Sequence, residues 1–66
     1  MKVLANGEPR EVPDGATVAG LVAVLTNQET GIAVAVNGEV VPRRAWPGRP
    51  LADGDQVEVV TAVQGG

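Results

Sequence analysis

Hydrophobic and polar positions along the chain switch between two periods. Lys2-Val3-Leu4-Ala5 is a short extended run stopped by Asn6-Gly7. Asn-Gly is a strong hairpin signal, because both central positions of a type I′ turn need positive φ. The return strand is expected over Arg10 to Val12, with Pro9 at its start and Pro13-Asp14-Gly15 closing it. Proline at that boundary marks an edge strand, where a missing N–H breaks no ladder. Val18, Leu21, Val22 and Leu25 then recur at i, i+3, i+4 and i+7, which predicts one face of a helix. Thr17 is placed to cap it through its hydroxyl. Gly20 inside this segment costs ~1 kcal/mol against alanine and is read as a solvent-facing position rather than a site of close approach.

After a loop from Asn27 to Gly31, Ile32-Ala33-Val34-Ala35-Val36 is β-branched, too short for a helix, and ends at a second Asn-Gly, Asn37-Gly38. Val40-Val41-Pro42 answers it as a brief strand. Arg43 to Pro50 reads as irregular chain, and Asp53-Gly54-Asp55 as a tight turn into a last strand over Gln56 to Val63. A hairpin, one helix and further strands describe an α+β domain with the helix covering one sheet face. No linker or repeat divides residues 1–66, so they form a single domain.

Parity along the last strand sorts its residues. Glu58 must be solvated, so Val60, Ala62 and Gln64 share its outer face, while Val57, Val59 and Val63 point inward. The same count at the first strand, with Lys2 outward, puts Leu4 outward and Val3 and Ala5 inward. Leu4, Val60 and Ala62 then make a small apolar patch on the uncovered face, read as a partner site.

Composition narrows the chemistry. A chain of 66 residues, 44% hydrophobic, has room for one small core. It has no Cys and no His, so disulfides, zinc sites and every mechanism needing an imidazole or thiolate are excluded. Five basic residues face eight acidic ones, for a net charge of −3, which argues against a nucleic-acid partner. The longest apolar stretch, Val18 to Leu25, is too short to span a membrane. No secretory leader is visible, and the expected compartment is the cytoplasm.

Asp53 and Asp55 are read as turn-formers rather than paired acid–base groups, and with Glu39 they fall short of a calcium loop. No glycine-rich phosphate loop is present, and so small a domain has little room for a substrate cavity. An autonomous enzyme is not expected. Trp46, the one aromatic residue, reads as a lid over one end of the core with its indole N–H on water or a carbonyl. Arg43-Arg44 is either a solvated pair or a contact for an acidic partner, and Arg43 joins the candidate partner-binding residues.

The remaining feature is the terminus, Val63-Gln64-Gly65-Gly66. Two glycines lack Cβ atoms, so a main-chain carboxylate there fits a narrow channel and takes φ/ψ values closed to other residues. Four extended residues reach ~13 Å, enough to enter another protein's active site while the domain stays outside.

The segments Ala33-Val34-Ala35-Val36-Asn37-Gly38-Glu39-Val40-Val41-Pro42-Arg43, then Trp46, then Leu51-Ala52-Asp53-Gly54-Asp55-Gln56-Val57-Glu58-Val59-Val60, and the closing Gln64-Gly65-Gly66 resemble the ThiS family of thiamin-pathway sulfur carriers. The Val-Pro-Arg…Trp segment favours that branch over the small subunit of molybdopterin synthase. Gly20 departs from the pattern, in which the helix usually carries a charged or larger residue.

The resemblance implies a ubiquitin-like β-grasp fold: a mixed sheet of four or five strands, one main helix, and first and last strands side by side and parallel. It implies a flexible Gly-Gly tail over 63–66 and a carrier in place of an enzyme. An E1-like adenylating partner of the ThiF type, using its own ATP and Mg, would activate the carboxylate of Gly66. Sulfur from a persulfide donor would then convert the adenylate to a thiocarboxylate for a thiazole synthase of the ThiG type. Val63, Gln64 and Gly65 would thread into the partner's active site. A sulfur carrier for molybdopterin or another pathway and a ubiquitin-like protein modifier are the alternatives the same ending allows.

Overall fold

The computed structural model describes residues 1–27 and 30–61. β1 (Lys2–Ala5) and β2 (Glu8–Glu11) pair antiparallel around the Asn6-Gly7 turn. β3 (Ile32–Val36) and β4 (Glu39–Val41) do the same around Asn37-Gly38. Asn6 and Asn37 both have φ of 52°, and Gly7 and Gly38 follow at 83° and 84°. This is the left-handed pair that a type I′ turn requires.

β5 (Gln56–Thr61) enters between the two hairpins, giving a five-stranded sheet ordered β2-β1-β5-β3-β4. Its pairing with β1 is parallel and its pairing with β3 antiparallel. The first and last strands are thus central neighbours in a mixed sheet, the β-grasp arrangement that the resemblance implies. β2 starts earlier than expected and contains Pro9. As β2 is an edge strand, the absent N–H of Pro9 leaves no ladder bond unmade.

α1 (Val18–Leu25) forms as the period predicts, with Val18, Leu21 and Val22 buried. The Thr17 hydroxyl accepts from the N–H of Gly20 at 3.3 Å, which caps the first turn. Gly20 itself is exposed, and a Cβ placed there would meet only Thr17 Oγ1, at 3.7 Å.

The inner sheet face supplies Val3, Val34, Val36, Val41 and Val57, which pack with the helix residues, Trp46 and Leu51 into one core. No described helix is long and apolar enough to cross a membrane.

The segment read as irregular is partly regular: Arg43–Gly48 forms a 3-10 helix. Only Ala45 and Trp46 in it turn toward the core, so no repeating apolar pattern announces it. Trp46 fills the lid position, buried, with its Nε1 donating to the Val41 carbonyl at 2.9 Å.

Candidate functional site

The candidate site has two parts, the carboxyl end and the face that a partner would grip. Ala62, Val63, Gln64, Gly65 and Gly66 lie outside the described residues, so the structure bears on the strand that leads to them. β5 is held from both flanks. At its start, Asn37 N donates to the Gln56 carbonyl at 2.7 Å and Asn37 Oδ1 accepts from Gln56 N at 2.9 Å. Farther along, Asn6 Nδ2 donates to the Val59 carbonyl at 3.1 Å, and Asn6 Oδ1 accepts from Val59 N at 2.8 Å. The asparagine of each hairpin turn therefore serves two purposes: it takes the left-handed conformation and its amide binds the central strand. The Asn-Gly signal announces the turns; nothing in the local pattern announces the clasp, which joins residues 53 apart in sequence.

The turn entering β5 is fixed by its acidic residues. Asp53 Oδ1 accepts from Lys2 N, and Asp55 accepts from Ala52 N through Oδ2 and from Asn37 Nδ2 through Oδ1. The hydrogen bond from Ala52 N–H, then that from the Asn37 amide, hold the Asp55 carboxyl below its ordinary value of 3.8; burial opposes them, and the Arg49 charge adds the smallest lowering effect. Both aspartates do the turn-forming work assigned to them. Among the described residues, no cluster of three or more acidic side chains is arranged to hold a metal.

Strand parity is as expected: Val57 is buried and Val59 half-buried, whereas Glu58 and Val60 face solvent. The expected patch is corrected, however. Leu4 and Val60 share the outer face but are not neighbours, because β1 aligns with the beginning of β5: Leu4 sits opposite Gln56. Val60 lies four residues farther along the strand, roughly 13 Å away at the usual rise. Its actual neighbours come from β3 and β4. Val60 pairs with Ala33, and Ala35 is flanked by Glu58 and Val40. Val40 and Val60, 73% and 56% exposed, rise on either side of the two alanines. Together with Glu58 they line a shallow depression of about 220 Å³.

The signal for these residues was present in the sequence. With Val34 and Val36 inward, Ala33 and Ala35 must face outward, but only the pairing of β3 with β5 shows that they adjoin Val60.

Arg43 is separate again. Its guanidinium lies 5.4 Å from the centre of the Trp46 ring, a cation–π distance. With Trp46 it borders a cleft lined by Ala19, Val22, Ala23 and Thr26 on the helix side. The three described candidates for partner contact thus occupy three places: Val60 in the outer apolar patch, Leu4 beside Gln56, and Arg43 at the helix side.

The model of the ThiS family matches residues 3–66. The chain is 33% identical to the sulfur carrier protein ThiS of Escherichia coli K12 over 66 residues, covering all of both chains. It is 35% identical over 66 residues to a thiazole synthase of Paramagnetospirillum magneticum, covering all of this chain and 20% of that protein. The crystal structure of a thiamine biosynthesis protein (ThiS) from Geobacter metallireducens superimposes with a TM-score of 0.84 at 33% identity, over the full length of each chain.

Proposed function

The chain belongs to the ThiS family of sulfur carriers, and from that premise we propose that the sulfur it carries in thiamin biosynthesis is held at the carboxyl group of Gly66. The family match running through the final Gly65-Gly66 carries this reading.

A carboxylate accepts sulfur poorly, because its charge is delocalised and oxide is a poor leaving group. Attack of a Gly66 oxygen on the α-phosphate of ATP, with loss of pyrophosphate, makes an acyl adenylate whose leaving group is AMP. The terminal sulfur of a persulfide displaces AMP, and thiol reduction of the acyl disulfide leaves the thiocarboxylate. Orienting the oxygens in line with the phosphate supplies much of such catalysis.

The nucleotide and Mg are handled by an E1-like partner of the ThiF type. The thiocarboxylate then gives its sulfur to a thiazole synthase of the ThiG type. The likeness to one-fifth of a thiazole synthase supports that second partner, since there a similar segment shares a polypeptide with the enzyme. The chemistry belongs to the cytoplasm, where ATP and reduced thiols are available.

The domain's role is delivery. Residues 62–66 span at most ~18 Å beyond Thr61, so the partner must approach the end of β5 closely. The apolar patch around Val60 lies next to that end and is the proposed docking face. Incubation with an activating enzyme, Mg-ATP, a persulfide donor and a thiol should add ~16 Da, located at Gly66 by fragmentation. No mass gain with an enzyme active on its own carrier, or a gain elsewhere, would overturn the reading.

A further inference from the structure

The backbone pairing of β1 with β5 ends where Asn6 N donates to the Val57 carbonyl at 2.9 Å. At that point the main chain turns off into Asn6-Gly7, with φ of 52° and 83°. β5 continues, paired with β3 as far as Thr61 opposite Ile32. On the flank that β1 has left, the Asn6 side chain takes the place of the next strand residue. A primary amide has the same donor and acceptor as a peptide group, and Asn6 uses both on one residue, binding Val59 N at 2.8 Å and Val59 O at 3.1 Å. Asn6 thus holds β5 two residues before Thr61, from the side where the backbone ladder has stopped.

We propose that Asn6 is a positioning residue for sulfur loading: its amide clamps β5 at Val59 and fixes the point and direction from which the carboxyl terminus is presented to the activating enzyme. This rests on the carrier reading above. A displacement at Val59 shifts the end of β5 at Thr61, the point from which residues 62–66 set out, and a misplacement of ~1 Å at a reacting group can cost ~100-fold in rate. Asn37 is the internal comparison, since it has the same turn geometry and also binds β5 through its side chain, but at Gln56, the strand's beginning.

The test compares Asn6→Gly, Asn6→Asp and Asn37→Gly in the full chain. Glycine keeps the positive φ and removes the clamp. Aspartate keeps an acceptor for Val59 N–H and loses the donor. Amide exchange followed by NMR should show Val59 exchanging ~5- to 30-fold faster in Asn6→Gly, with Asn6→Asp between it and wild type. The kcat/KM for thiocarboxylate formation should follow the same order and fall at least ~10-fold in Asn6→Gly, while Asn37→Gly stays near wild type. If Asn6→Gly does not fold, the Asn6→Asp comparison decides alone.

Loading of Asn6→Gly at the wild-type rate, an equal loss in Asn37→Gly, or unchanged exchange at Val59 would each overturn the inference and leave the carrier reading standing. A wild-type chain that takes up no sulfur would remove both.

Discussion

The indole Nε1 of Trp46 and the carbonyl of Val41 are joined by a 2.9 Å hydrogen bond inside the core. The bond ties the 3-10 helix to the end of β4, where the chain leaves the sheet. It also gives the one polar atom of a buried ring a partner. Trp46→Phe keeps most of the packing and loses that hydrogen bond, so it should cost ~0.5–1.5 kcal/mol. Trp46→Ala adds a cavity and should cost ~3–5 kcal/mol. Urea midpoints at constant m-value check both. Equal costs for the two variants would mean the hydrogen bond outweighs the ring's packing.

The helix offers a change of opposite sign. Gly20 lies on the exposed side of α1, where a methyl group would meet only Thr17 Oγ1, at 3.7 Å. Gly20→Ala should therefore stabilise the domain by ~0.5–1 kcal/mol, and Thr17→Ala should destabilise it by ~1 kcal/mol through loss of the cap. Thermal melting of the two variants measures both signs. A destabilised Gly20→Ala would show that the helix approaches a neighbour at that point.

Acid sensitivity should trace in part to Asp55. Its carboxyl is held below 3.8 in the folded chain, chiefly by the Ala52 N–H and the Asn37 amide. A lowered folded value means that the unfolded chain binds the proton more readily. The stability it contributes is therefore present above about pH 4 and is lost as pH falls through the folded value. Asp55→Asn should lower stability at neutral pH and flatten the acid limb below about pH 4, seen in denaturation midpoints collected as the pH is lowered. An acid limb as steep as wild type would assign it to other carboxylates.

On the outer face, Val60→Asp and Val40→Asp should each raise KM for the activating enzyme by at least ~10-fold, since a charge is forced into an apolar contact. Both positions are exposed, so stability should change by no more than ~1 kcal/mol. Leu4→Asp should affect KM less than either, because Leu4 lies beside Gln56 rather than beside Val60. Equal effects at Leu4 and Val60 would place the partner across the whole sheet.

The parts of the fold that were legible in the sequence are those governed by near neighbours. Asn6-Gly7 and Asn37-Gly38 specify their turns, Val18 to Leu25 specifies the helix face, and the placement of Glu58 orients β5 correctly. What the local pattern hides is the alignment of strands far apart in the chain. Parity puts Leu4 and Val60 on one face, but only the parallel register of β1 with β5 reveals the distance between them. The asparagine clasps on β5 are hidden for the same reason. The 3-10 helix escapes detection on different grounds: two short turns around one buried ring have no period to read. For the candidate site, Gly66 and its neighbours are proposed from the Gly-Gly ending and lie outside the described residues, whereas Ala33, Ala35 and Val40 become visible only when β3 is laid against β5.

The central strand is also the last to be synthesised. Until β5 emerges, a nascent chain holds two hairpins whose facing edges have nothing between them, and isolated hairpins are at best marginally stable in water. Nearly all cooperative stability therefore arrives in one late step, after the ribosome has made the rest of the domain. Premature termination ahead of Gln56 leaves no partly useful fragment, only two unpaired halves for the cell's proteases.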